Sequence, residues 1–338
     1  MTLQDIQEFI KNTESKDTRL YFITRIEEAK RSRTRAANKT HVFKVYQIDF
    51  NQELQESLFN ATLSYLEQIA KKKYDVVDYD VLSDETEHLF TYSVSNSNKI
   101  ESFADVVTNQ LLQVDPPQVK RLKELSSDEK KMWAYCLSFS SSDGKEKMFS
   151  FRKILPSKVG VNEKSSFLKA YFNASSQQLA LQKEETISLD EQVDCIYFKD
   201  TFFVLKKGNF EQIVGLQEEY KEQAKVIVDK LLSSDMLIGG EEHLIPLVEN
   251  KPSVHKKLIK IEKIGYYERL DSKAIKKMKR ISKQHGVDLK VQDDKLILEN
   301  EEDVDALLKV LGDYYKKGEV SGKSYGTFSG KELKAEQK

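Results

Sequence analysis

The sequence predicts an α+β fold, and three observations carry that expectation. Short segments rich in β-branched and aromatic residues alternate in both halves, amphipathic helical periods fall between them, and no regular βαβ unit or fixed-period repeat links the two. The N-terminal half reads as a mixed sheet with a few helices, the C-terminal half as hairpins and amphipathic helices. At 338 residues the chain exceeds one small core, so we expect a domain at 1–185, a second at 186–320 and a polar tail at 321–338. With 39% hydrophobic and 32% charged residues and only five prolines, the composition is that of a globular protein.

In the first half, residues 19–27 (RLYFITRIE) and 41–50 (HVFKVYQIDF) alternate and read as paired strands. Between them, 30–39 has no apolar period and holds Arg31, Arg33 and Arg35, so an exposed basic loop is expected. Leu54, Leu58, Leu63, Leu66 and Ile69 recur at helical spacing over 53–70, with Lys71 to Lys73 suited to a helix C-terminus. Further strands are expected at 74–81, 132–139, 147–154 and 167–172, and a turn at 140–144 (SSSDG). Pro116 and Pro117 break the chain ahead of a short helical piece at 119–125.

The second half opens with 194–198 and 201–205 around Lys199-Asp200, a two-residue hairpin spacing. Leu216, Tyr220, Ala224, Ile227, Val228 and Leu231 mark one face of a helix. Ser253 can cap a second helix and Asp271 or Ser272 a third, which Gly286 ends. Another hairpin turns at Asp293-Asp294, and Asn300 caps a last helix with Asp303 at its third position. After Gly318 the chain reads as polar and loose.

Charge is unevenly spread, although the net charge is only −1. Residues 251–290 carry eleven Lys and two Arg against four acids, a net +9, whereas 184–250 sums to −9 and 51–110 to −7. Within the basic segment Lys273, Lys276, Lys277, Arg280 and Lys283 fall on neighbouring turns of one helix, opposite Ile275 and Met278. Lys256, Lys257 and Lys260 on the preceding helix extend the set, with Tyr266 and Tyr267 between the two. Such a face suits a phosphate backbone and, being lysine-rich, gives affinity without base choice. A solvated lysine face balanced by acidic helices is the alternative. The Arg31, Arg33 and Arg35 loop is a second candidate for phosphate contact.

Other chemistry has little to stand on. Gly318 and Gly322 before Lys323 and Ser324 come near a phosphate loop, but three residues separate the glycines instead of four, and a helix precedes them. Asp17 with Glu28-Ala29-Lys30 is the nearest approach to a metal-dependent nuclease centre. The five histidines are isolated, and Cys136 and Cys195 have no ligand-spaced neighbour, so no metal or cofactor is expected and both thiols should be reduced and buried. No G-x-S-x-G, G-x-G-x-x-G or H-E-x-x-H occurs. Trp133, in an aromatic strand with Tyr135, reads as core. The chain has no apolar run long enough to span a bilayer and its N-terminus lacks the features of a signal peptide, so a cytoplasmic location is expected.

Residues 194–216 (DCIYFKDTFFVLKKGNFEQIVGL) and 306–333 (ALLKVLGDYYKKGEVSGKSYGTFSGKEL) resemble the KwaB family of the Kiwa anti-phage defence system. The likeness lies mainly in the C-terminal half and transfers no individual functional residue. It implies a cytoplasmic, homodimeric effector that binds double-stranded DNA without sequence preference and is recruited to the inner face of the membrane by a KwaA-like membrane protein. The expectation is therefore a non-enzymatic DNA-binding protein of phage defence. The alternatives are a metal-dependent nuclease of the same kind, or a protein interaction module that meets an acidic partner through the same face.

Overall fold

The computed structural model describes residues 2–29, 39–72, 74–83, 88–95, 100–113, 115–125, 130–155, 170–173, 178–181, 185–265, 270–318 and 320–328. The chain divides into two units, Met1–Tyr79 with Glu85–Gly215 and Asp80–Asp84 with Leu216–Lys338. Both combine helices and sheet, the α+β class that the sequence predicts.

The first unit begins with α1 (Leu3–Lys11), absent from the sequence expectations although its capping box was there to read. Thr2 Oγ1 accepts from the Asp5 amide at 3.2 Å and Asp5 accepts from the Thr2 amide at 2.6 Å. A 3-10 turn at Ser15–Asp17 leads to β1 (Arg19–Ala29), which pairs antiparallel with β2 (Lys39–Ile48), as the alternation predicts. Helix α2 (Gln52–Ala70) starts on Asn51, whose side chain accepts from the Leu54 amide at 3.0 Å. Next come β3 (Asp75–Asp78), β4 (His88–Ser93) and α3 (Glu101–Asp105), which runs into a π-helical turn at Val106–Leu111. After them lie β5 (Lys130–Ser140), β6 (Lys147–Lys153), β7 (Ala170–Asn173), β8 (Gln178–Leu181), β9 (Cys195–Phe198), β10 (Thr201–Val204) and α4 (Lys207–Ile213). The short helix expected at 119–125 is a 3-10 turn at Leu122–Leu125.

Eight of these strands form one sheet in the order β2-β1-β5-β6-β9-β10-β4-β3, with β7 and β8 a separate pair. Neighbours run antiparallel except β3 and β4. One face packs Leu20, Phe22, Leu137, Phe139, Ile196 and Phe203 against Ile6 and Ile10 of α1 and Leu58 and Leu66 of α2. The other face stacks Phe151 and Phe202 with Phe103 of α3 and Phe210 of α4, at centroid distances of 5.5 to 6.2 Å. Strand β4 was not foreseen, although Phe90, Tyr92 and Val94 alternate with Thr91 and Ser93 along it and just beyond its end. The β9–β10 hairpin turns at Lys199 and Asp200, both at positive φ (48° and 60°), as a two-residue loop requires.

A buried polar group ties the central strands together. Asp194, 3% exposed, accepts from the Lys153 amide of β6 at 2.7 Å and from Asn209 Nδ2 of α4 at 2.8 Å. Its own carbonyl accepts from the Leu205 and Lys206 amides at the end of β10, both at 2.9 Å. Burial pushes its carboxyl above the usual aspartate range, and the hydrogen bonds from Asn209 and Lys153 work against that rise. Nearby, the fully buried guanidinium of Arg152 donates to Ser150 Oγ at 3.0 Å and to Thr62 Oγ1 at 2.6 Å.

The second unit contains α5 (Leu216–Leu232), β11 (Leu237–Gly239), α6 (Glu241–Asn250), α7 (Pro252–Ile264), α8 (Ser272–Gln284), β12 (Val291–Gln292), β13 (Lys295–Leu298), α9 (Glu301–Leu311), β14 (Tyr315–Lys317) and β15 (Ser324–Gly326). Strand β13 lies between β11, to which it is parallel, and β12, with which it forms the hairpin turning at Asp293-Asp294. Leu231, Leu244, Leu258, Ile275, Met278, Leu296, Leu307 and Leu311 form its core. Gly240, at φ 90°, lets the chain pass Leu298, whose Cδ1 would lie 2.7 Å from any Cβ there. Helix α7 begins with Pro252 in its first turn, where a missing amide costs nothing, so Ser253 is inside the helix and not its cap. The Asp271 side chain caps α8, accepting from the Ala274 amide at 2.7 Å. Asn300 caps α9 as expected, but Asp303 accepts from the Glu299 amide, one residue outside the usual capping box.

Two stability predictions follow from this packing. Asp194→Ala should lower unfolding free energy by about 2–4 kcal/mol, because two buried donors lose their acceptor together; a denaturant midpoint equal to the parent's would contradict that role. Ile275→Ala should cost about 2–5 kcal/mol, whereas Lys277→Ala on the exposed side of the same helix should stay within about 0.5 kcal/mol, read from the same titration.

Candidate nucleic-acid interface

Helix α8 separates apolar from basic more completely than any periodicity argument requires. Ala274, Ile275, Met278 and Ser282 are buried, and at about 100° per residue they occupy one side. Lys273, Lys276, Lys277, Arg280 and Lys283 are exposed on the other, joined by Lys279, which the sequence reading did not single out. The helix has six cations and no acid. Lys276 reaches Asp294 in the β12–β13 turn at 3.4 Å, an exposed pair worth little. Among the described residues, Lys273, Lys277, Lys279, Arg280 and Lys283 form no ion pair.

The α7 lysines are differently situated. Lys257 lies 3.3 Å from Asp305 of α9, and its ammonium is 4.7 Å from the centre of the Phe328 ring. Lys260 is buried, and its ammonium donates to the Phe328 carbonyl. Burial pulls its pKa below the ordinary lysine value of 10.5, and the charge of Lys316 pulls it further while Asp313 opposes. Lys256 is half-buried on the same helix. The structure thus brings the α8 cations together on one exposed face and draws Lys257 and Lys260 into contacts within the fold. Arg31, Arg33 and Arg35, and Tyr266 and Tyr267, lie outside the described residues.

In the first unit, sequence reasoning missed a cation cluster around Trp133. The β1–β5 register pairs Ile23 with Ala134 but Thr24 with Met132, so Trp133 is the extra residue of a bulge. Its indole N–H donates to the Ile213 carbonyl at 3.0 Å, and Arg25 and Lys153 lie over the ring at 4.2 and 2.9 Å from its centre. Trp133 is therefore half-buried and cation-stacked, not plain core. A cavity of about 640 Å³ opens along β2, lined by His41, Phe43, Lys44, Asp105, Gln110 and Pro117 among others. The Gln110 side chain closes part of this edge, donating to the Phe43 carbonyl and accepting from the Val45 amide.

The remaining motifs separate in space. Asp17 lies in the 3-10 turn before β1, Glu28 falls one residue from the far end of that strand, and Lys30 lies outside the described residues. Among the described residues, no group of three or more His, Cys, Asp or Glu could hold a metal. Gly318 and Gly322 lie between β14 and β15: the Gly318 amide donates to the Lys323 carbonyl and the Gly322 amide to the Gly318 carbonyl, so neither points at a phosphate. Cys136 and Cys195 are free and buried, and burial raises both thiols well above their ordinary range. Among the described residues, no helix is long and apolar enough to cross a membrane.

Neither the curated proteins nor the solved structures yield a match to this chain. A family model described as Kiwa protein KwaB-like matches residues 129–321, which takes in β5 to β10 of the first unit and α4 through α9 with β14. That span is more than half of the chain, so the protein belongs to the Kiwa protein KwaB-like family, whose setting is Kiwa anti-phage defence.

Proposed function

We propose that this chain is a DNA-binding effector of Kiwa anti-phage defence, in which α8 lies along the phosphate backbone and reads no base sequence. The observation that carries the reading is the set of five exposed α8 cations without an ion pair among the described residues, opposite a buried side of Ala274, Ile275, Met278 and Ser282. Lysine outnumbers arginine five to one on this helix, which suits point-charge contact with phosphates and not bidentate recognition of guanine. Family membership supports the defence setting. It also motivates the further proposals that the chain acts as a homodimer and reaches the inner membrane face through a KwaA-like membrane partner.

Affinity for a short DNA duplex should fall steeply with salt, with a log–log slope of up to about −4.5 if each of the five cations neutralises one phosphate, and should not depend on base sequence. Replacing Lys276, Lys277 and Arg280 together by Glu should weaken binding at least about tenfold near 0.1 M salt. A variant that binds as well as the parent would remove α8 from the interface. Co-expression with a KwaA-like protein should move the chain into the membrane fraction; recovery in the supernatant alone would count against recruitment.

A further inference from the structure

We propose that the β14–β15 ribbon is a second polyanion-contacting element, with Lys316, Lys317 and Lys323 adding to the cations of α8. The proposal rests on the reading of α8 as a backbone-binding helix, and extends it to a ribbon whose second strand lies where the sequence reads as a loose tail.

Two strands of three residues cannot hold a shape in water by themselves, so their order must come from what they touch. The ribbon is fastened to α8 and α7 and closed on itself. Tyr315 stacks on His285 with ring centroids 4.3 Å apart and planes within 9°, and His285 is the C-cap of α8, two residues beyond Lys283. Phe328 lies 4.8 Å from Tyr314, and its carbonyl accepts from the Lys260 ammonium of α7. Gly312 and Gly326 permit the approach, because a Cβ would come within 2.9 Å of Phe328 at the first and 2.5 Å of Tyr314 at the second. The ribbon is thus a built part of the unit, attached where α8 ends.

Its charge is open. Lys316, Lys317 and Lys323 are exposed, and among the described residues none forms an ion pair. The ribbon's own acids are Asp313 and Glu319, the latter outside the described residues. The ground beneath is also positive: Asp305 is shared by Lys257 at 3.3 Å and Lys309 at 2.6 Å, and Lys260 meets a carbonyl instead of a carboxylate. Three uncompensated cations rigidly held at the end of a cationic helix are placed to meet further phosphates of the same strand, at little cost in ordering.

The test compares the full-length parent with three variants in a salt series on one DNA duplex: Lys316→Gln with Lys317→Gln and Lys323→Gln; Lys276→Gln with Lys277→Gln and Arg280→Gln; and all six together. The ribbon variant should reduce the salt slope by about 1–3, at about 0.9 per phosphate contact, and the six-fold variant should lose more than either. An unchanged slope and affinity in the ribbon variant, while the α8 variant weakens, would overturn this inference and leave the reading of α8 intact. A parent that does not bind even at the lowest salt would end both. Lys→Arg changes at the three ribbon positions should keep the parent slope; a loss there too would mean that charge is not what the ribbon contributes.

Discussion

The first unit depends on one buried carboxylate. Asp194 receives donors from β6 and α4 through its side chain and from the end of β10 through its carbonyl, so a single residue fixes where three neighbouring segments meet. A buried charge of this kind is tolerated only when its lone pairs are met, and removing any donor leaves the rest exposed to the full desolvation cost. Arg152 lies in the same interior with hydroxyl partners in place of a carboxylate, and the mutual field of the two charges partly offsets what burial costs each.

In the second unit the deciding constraint is how acids are distributed. The acids of this unit that form ion pairs mostly engage cations outside α8. Glu249 bonds Lys221 and Lys225, and Glu262 of α7 bonds Lys230. Glu299 and Asp303 hold Lys290, and Glu301 holds Lys251. Among the described residues, Asp294 is the acid that forms an ion pair with an α8 cation, and that cation is Lys276. Five of the six α8 cations thus form no ion pair with neighbouring acids among the described residues, whereas Lys257 of α7 is paired with Asp305.

Much of this was legible in the amino-acid order. The β1–β2 pair, the Lys199-Asp200 and Asp293-Asp294 hairpins and the caps at Asn51, Asp271 and Asn300 follow from alternation, turn chemistry and short polar side chains. The helices that carry the candidate interface follow from period alone. What escaped has physical reasons. Strands β14 and β15 are too short for a period to appear, whereas the alternation of Phe90, Tyr92 and Val94 along β4 and just beyond it was there to read. Lys260 has the spacing of a surface lysine, and only the return of the chain at Phe328 makes it a buried one. Sequence spacing identifies which cations share a helix; whether they face solvent depends on segments far along the chain.

The bulge at Trp133 has a practical consequence. It is the only tryptophan in the chain, and its indole is fixed by the Ile213 carbonyl beneath two cations, all within the first unit. Intrinsic tryptophan fluorescence therefore originates in that unit, whereas far-ultraviolet dichroism sums over both. Following one chain by the two optical methods thus compares the unfolding of the first unit with that of the whole chain, without labels.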